Sequence, residues 1–325
     1  MADLTYREAL RQALKEKMES DPRVFIMGED VGAYGGAYSV TRGLQEEFGA
    51  DRVRETPIAE SAIVGAAVGA AMGGMRPVAE IMTINFALLA IDQIVNHAAK
   101  FHYMFAGKIK VPMVMRTVSG WGQLAATHSQ TFENWFASVP GLKVVAPATP
   151  ADAKGLLKTA IEDDDPVIFL EHSLLYGTRG EVPESDYRTP LGLAEVKREG
   201  SDVTLVGYSR MTQVALRAAG QLADEGVSAE VVDLRTLRPL DMETIYTSVR
   251  RTHRLVIGEE DWRTVGIGAE IAAAVGEACF DDLDAPIRRV AMPDVPMPYA
   301  KNLELALVPT EEEIVAAVRG LLGRA

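Results

Sequence analysis

The chain has 325 residues, an apolar fraction of 48% and a charged fraction of 24%, the balance of an ordinary globular protein long enough for two domains. A net charge of −13 at pH 7 argues against nucleic acid or an anionic membrane as partner and leaves a basic protein surface open. One cysteine, Cys279, excludes an internal disulfide and fits the cytosol or an equivalent reducing compartment, so a cytoplasmic location is expected.

Taken in chain order, the N-terminal segment Tyr6–Ser20 is charged and helical in pattern, with no apolar signal core. Short apolar runs at Val24–Gly28, Pro77–Met82, Pro112–Thr117, Lys143–Ala146 and Val167–Glu171 predict strands. Between them, Ser61–Gly74, Ala87–Phe105 and Ala151–Asp163 predict helices. The run Ser61–Met75 is low in charge but too short and glycine-rich to span a bilayer. Gly177–Gly200 has no clear periodicity and reads as a linker. The alternation then restarts: strands at Val203–Gly207, Ala229–Leu234 and Leu255–Glu259, helices at Met211–Glu225, Asp241–Arg251, Gly266–Phe280 and Glu311–Leu322. Asp241 has the look of an N-cap, and the proline-rich Met292–Pro298 of a loop. The fold class is therefore α/β, with two parallel-sheet domains near 1–185 and 195–325.

The segment Glu55–Phe86 carries the most information. Glu60 stands where an extended piece containing Thr56-Pro57 enters a helix of small residues, and Ser61, Gly65, Gly69 and Gly73 share one face of it. Three helical glycines cost roughly 3 kcal/mol relative to alanine, and close approach of another backbone is the expected compensation. Glu60 reads either as a carboxyl tuned at a tight interface or as a solvated first-turn acid favoured by the helix dipole. His128 lies in a loop after the strand ending near Thr117, where α/β folds carry their sites; it reads as an acid, base or anion binder, or as a structural histidine.

Other candidates have plainer readings. The glycines at Gly32–Gly36 and Gly266–Gly268 lack a full dinucleotide fingerprint, since the third position after Gly266 and Gly268 is Ile271, and read as turns. There is no P-loop lysine motif. His97 and His102 fall on different helical faces, so they are no metal pair. Ser209 lacks the closing glycine of a nucleophile elbow, and Cys279 sits in an apolar helix as a core residue.

Across nearly the whole chain, the sequence resembles the beta subunit of the thiamine-dependent 2-oxo acid dehydrogenase component, the family of pyruvate, branched-chain 2-oxo acid and acetoin dehydrogenases. The resemblance runs through Gly28-Glu-Asp-Val, Glu55-Thr-Pro-Ile-Ala-Glu60, Arg76-Pro-Val-Ala-Glu80, Asp92-Gln93, His128-Ser-Gln, Pro140-Gly-Leu-Lys-Val-Val, Leu234-Arg-Thr-Leu-Arg-Pro-Leu-Asp241 and Pro298-Tyr-Ala. It implies a thiamine-diphosphate pyrimidine-binding domain followed by a transketolase C-terminal-like domain. It implies that Glu60 hydrogen-bonds the cofactor's aminopyrimidine and favours its imino tautomer, that Phe86 packs on the ring, and that Ile58, Met82 and Glu29 line its surroundings. His128 matches the histidine that positions substrate and the lipoyl group. Met113, Ala160, Ile161, Asp163 and Asp165 match positions that in some relatives bind potassium, largely through backbone carbonyls.

The chain has no Gly-Asp-Gly motif, which thiamine enzymes use to hold magnesium and diphosphate through oxygen ligands. The resemblance therefore implies an alpha subunit that supplies most of the magnesium site, in an alpha2/beta2 heterotetramer. The implied activity is oxidative decarboxylation of a 2-oxo acid, with pyruvate the leading expectation and branched-chain or acetoin dehydrogenase the alternatives. The acyl group would pass to lipoyl-lysine of an acyltransferase core. A non-catalytic assembly subunit is a poorer reading, because both Glu60 and His128 are retained; a nicotinamide enzyme is poorer for want of the fingerprint.

Overall fold

The computed structural model describes residues 1–122 and 124–323, in two compact units. The first comprises 1–119 and 135–191, the second 120–134 and 192–325, apart from the undescribed positions.

In the first unit the strands are β1 (Ala2–Thr5), β2 (Val24–Gly28), β3 (Val53–Glu55), β4 (Arg76–Ile81), β5 (Val114–Ser119), β6 (Lys143–Val145), β7 (Val167–His172) and β8 (Arg179–Val182). Those from β2 to β7 form a parallel sheet in the order β6-β7-β5-β4-β2-β3. Strands β2 and β7 are buried along their whole length, as expected of near-continuous apolar runs covered on both faces. The helices Tyr6–Ser20 and Pro150–Glu162 pack on each other; Thr5 and Glu8 cap the first through a reciprocal capping box. Strand β2 lies between β3 and β4, so the chain leaves it on one side and returns on the other. A crevice at such a switch of strand order, beyond the carboxyl ends, is where open α/β sheets bind ligands.

The second unit has a five-stranded sheet made of β9 (Glu195–Arg198), β10 (Val203–Gly207), β11 (Ala229–Asp233), β13 (Leu255–Trp262) and β14 (Arg288–Met292), with a short strand β12 (Thr236–Arg238) following β11. Its order is β14-β13-β10-β11-β9, parallel except for β9. Helices Arg210–Asp224 and Glu311–Leu321 pack together over one part of the sheet. Asp241 caps its helix, its carboxylate accepting the Thr244 N–H at 3.2 Å.

Three expectations change. Gly177–Gly200 is no plain linker: it holds β8, antiparallel to β1, and β9, which pairs with β11. These strands are only four residues long and half-polar, too short to show a period. Ala87–Phe105 is not one α-helix: Ile84–Ala90 is 3₁₀, Gln93–Ala98 is π and Ala99–Met104 is α. An apolar pattern does not reveal which i→i+3, i+4 or i+5 bond closes each turn. Finally, among the described residues no backbone of another element packs on the glycine face of the helix Glu60–Met72. A Cβ at Gly65 would meet only the Gln93 side chain, at 3.5 Å, and one at Gly69 would meet nothing within 4 Å.

Candidate active site

Glu29, Ile58, Glu60, Met82 and Phe86 all lie beyond the carboxyl ends of β2, β3 and β4. Glu29 follows β2 directly. The Thr56 N–H donates to the Gly28 carbonyl at 3.0 Å, so the extended piece Thr56–Ala59 runs alongside β2 and delivers Glu60 to the first turn of its helix. Glu60 is only 5% exposed. Its carboxyl makes no hydrogen bond among the described residues. Burial, and then the negative charges of Glu60 and Asp30, push the Glu29 carboxyl above its ordinary range. The two acids thus face a common space, with the helix N-terminus behind Glu60.

Met82 and Phe86 are half-buried in the turn after β4, where the Phe86 N–H donates to the Thr83 carbonyl at 3.0 Å. That 3₁₀ segment packs against the helix Glu60–Met72, so Phe86 and Glu60 belong to one packed pair of elements. Ile58 is 82% exposed and is not packed within this chain.

Beneath the crevice lies a charged network that the sequence reading did not pick out. Arg116, 2% exposed, donates from Nε and Nη2 to both oxygens of Glu171, at 2.6 and 2.9 Å, and from Nη1 to Glu80, at 2.7 Å. The Tyr176 hydroxyl also donates to Glu171, at 2.7 Å. Gly28 pairs with Glu80 and Glu80 with Arg116 across β2, β4 and β5, so the network sits in the row below Glu29. A Cβ at Gly36 would lie 3.2 Å from a Glu80 oxygen, which is how closely the loop after β2 rests on it. Burial drives the Glu80 carboxyl upward, Arg116 notwithstanding. The signal for this network was present as charged residues inside strand-like runs.

His128 belongs to the second unit. It ends a short helical turn, Ala125–His128, and is half-buried. The Gly120 N–H donates to the Gln130 carbonyl at 3.2 Å, closing the loop at its base. Trp121 is buried with Met292, Met297 and Val308, and Asn134 donates to the Val265 carbonyl at 3.0 Å. Elsewhere, His172 Nδ1 accepts the Leu174 N–H at 3.1 Å, and His102 and His253 each pair with a backbone carbonyl.

The first glycine cluster is a turn, whereas the second, Gly266–Gly268, caps and opens the helix Ile267–Ala278. Gly35 and Gly36 have φ of +88° and +82°, and the Glu259 carboxylate already accepts the Gly268 N–H, at 2.7 Å. The implied potassium positions lie at the end of the helix Pro150–Glu162. There Arg76 donates to the carbonyls of Ile161 and Asp163, at 3.0 and 2.8 Å, and the Met113 carbonyl accepts from Val167. Ala160 is buried, and Asp163 and Asp165 both pair with Lys143. Among the described residues, no group of three or more His, Cys, Asp or Glu side chains could hold a metal ion.

Residues 2–178 match the family described as "Transketolase, pyrimidine binding domain", and residues 192–314 match "Transketolase, C-terminal domain". The chain is thus a two-domain α/β protein of the transketolase class. It is 52% identical to the pyruvate dehydrogenase E1 component subunit beta-2, mitochondrial, of Oryza sativa subsp. japonica, covering 99% of this chain and 87% of that one. It is 51% identical to the pyruvate dehydrogenase E1 component subunit beta of Rickettsia felis, covering 97% of each. A solved structure, "Split gene transketolase, inactive beta4 tetramer", superposes with a TM-score of 0.81 at 28% identity over 98% of both chains. The chain belongs to the family of pyruvate dehydrogenase E1 component beta subunits. No described helix is long and apolar enough to cross a membrane.

Proposed function

We propose that this chain is the beta half of a thiamine diphosphate-dependent 2-oxo acid dehydrogenase acting on pyruvate and passing the acyl group to the lipoyl-lysine of an acyltransferase core. The observation that carries the proposal is Glu60: a carboxyl on a largely buried residue at a helix start, with no hydrogen bond among the described residues and a second acid, Glu29, close enough to feel its charge. Its hydrogen-bonding capacity is unused within the described chain, which leaves it for a ligand to complete. The aminopyrimidine of thiamine diphosphate does so, with Glu60 holding a proton shared with a ring nitrogen, Phe86 and Met82 against the ring, and Ile58 and Glu29 at its margins. Bound, the cofactor supplies a nucleophilic carbon and an electron sink for loss of carbon dioxide.

The diphosphate and its magnesium find no ligand set in this chain, which lacks Gly-Asp-Gly. We assign them to an alpha subunit in an alpha2/beta2 assembly, working in a reducing compartment such as the cytoplasm. The uncovered Ser61/Gly65/Gly69 face is the surface we assign to that partner. Any potassium would lie on the carbonyls of Met113, Ala160, Ile161, Asp163 and Asp165. The test is calorimetric titration of the isolated chain with thiamine diphosphate and magnesium, beside the chain co-purified with its alpha partner. The complex should bind and decarboxylate pyruvate ahead of branched 2-oxo acids and acetoin. Micromolar binding or turnover by the single chain would sink the split-site reading.

His128 is assigned to handling of the lipoyl group. His128→Ala is expected to lower acylation of a lipoyl domain more than decarboxylation followed with an artificial electron acceptor. Equal loss in the two assays would place it in the first step instead, and no loss would make it structural.

A further inference from the structure

The loop after β2 folds back on the residues that follow Glu29. Its backbone is left-handed at Asp30, Gly35, Gly36 and Ser39, with φ of +56°, +88°, +82° and +59°. That conformation is uncommon for Asp30 and Ser39, which carry a Cβ, so the surroundings must impose it. They do so through hydrogen bonds. The Gly36 N–H donates to the Asp30 carbonyl at 2.7 Å, and the buried Thr41 hydroxyl donates to the Val31 carbonyl at 2.9 Å. The Thr41 N–H donates to the Gly35 carbonyl at 3.1 Å, and the Gly32 N–H to the Glu55 carboxylate at 2.8 Å. The backbone that carries Glu29 is thus held by the far end of its own loop.

That far end is anchored in turn. The half-buried Tyr38 ring stacks on Tyr176, with centres 4.9 Å apart and planes 23° from parallel. Tyr176 is buried; its ring pairs edge-on with Tyr6 at 6.0 Å, and the Arg7 guanidinium lies 5.7 Å from its centre. Its hydroxyl donates to Glu171, and Gly36 rests on Glu80. Glu171 and Glu80 are the two acids that share Arg116. Both supports of the loop therefore rise from one charged group on β4, β5 and β7.

We propose that Tyr38 and Tyr176 are positioning residues for Glu29: their stack ties the loop after β2 to the Arg116 group and so fixes where the Glu29 carboxyl stands beside Glu60. This rests on the reading of Glu29 as a group at the margin of the thiamine diphosphate site. A binding group must be held within about 0.5 Å of its working place by neighbours that are themselves locked. A loop ordered in advance also spares the ligand the cost of ordering it. Glu29 stands on a loop rather than within a strand, and the stack supplies the rigidity that a strand would give.

The test is a double-mutant cycle on the chain assembled with its alpha subunit. The readouts are calorimetric affinity for thiamine diphosphate with magnesium, turnover, and amide hydrogen exchange across residues 29–41. Tyr38→Leu keeps apolar volume and loses the stack, whereas Tyr38→Phe keeps the ring. Tyr38→Leu should exchange roughly tenfold faster across the loop, and Tyr38→Phe should match the parent. Glu29→Gln should lower affinity or turnover, and the cycle is read in the quantity it lowers. Tyr38→Leu should lower that quantity several-fold in the parent. In the Glu29→Gln background it should cost nothing further, because the group it positions is gone. Tyr176→Phe, which cuts the bond to Glu171 and keeps the stack, should show the same pattern with a smaller loss, and it carries the cycle if Tyr38→Leu does not assemble. Equal losses in the two backgrounds show that the stack supports the fold at large and overturn the proposal. So does parental exchange in Tyr38→Leu, or faster exchange with parental affinity and turnover. Parental affinity and turnover in Glu29→Gln overturn the reading of Glu29 itself.

Discussion

Glu60→Gln in the assembled complex should retain most cofactor binding and lose turnover by 10²–10⁴-fold, the usual cost of removing a positioned acid or base. The amide keeps the volume of the carboxyl and a hydrogen-bonding oxygen, so the pyrimidine end still has its seat. What it cannot do is share a proton with a ring nitrogen. The surroundings provide a second readout. Glu29 is held above its ordinary range first by burial and then by the charge of Glu60, so removing that charge should move Glu29 down. In the cofactor-free complex, Glu29 should therefore titrate at lower pH in the variant than in the parent. Turnover within a few-fold of the parent would remove Glu60 from the chemistry.

The parts legible in sequence were those with a local cause. Strands β2 and β7 are apolar runs buried on both faces, and the Asp241 cap and the helix at Glu60 have short-range signatures. Glu60 itself was legible because a single acid enters a stretch of small residues. The remainder depended on partners far along the chain. Strand β1 is a strand because β8, some 175 residues later, pairs with it: Ala2 lies opposite Val182. The loop bearing His128 groups with the second unit because Trp121 packs with Met292 and Met297 and Thr131 bonds to Asp261. None of these contacts leaves a period in the sequence. The glycine face shows the opposite limit. Its spacing was plain, but among the described residues nothing comes within 4 Å of a Cβ at Gly69, so the spacing did not translate into close packing within this chain.

The buried arginine network is where the largest stability effect should appear. Among the described residues, Arg116 is the one cation that Glu80 and Glu171 share, and all three lie on adjacent parallel strands. Arg116→Met keeps the apolar stem and removes the charge, leaving two buried carboxylates uncompensated. Breaking a buried ion pair from one side costs about 3–5 kcal/mol, and the first unit should lose roughly that much in chemical denaturation near pH 7. The pH dependence separates this from a packing defect. Burial already raises the Glu80 carboxyl, so its contribution is present below the ordinary carboxylate range and is lost as pH rises through its folded value. Without Arg116, Glu80 should bind its proton more tightly still in the fold. The variant should therefore recover part of its stability on acidification from pH 7 to 5, beyond any change in the parent. Glu80→Gln, in which the amide stands in for a protonated carboxyl, should cost far less than Arg116→Met. A loss in Arg116→Met that is the same at both pH values would show that the arginine acts by filling space rather than by neutralising Glu80 and Glu171.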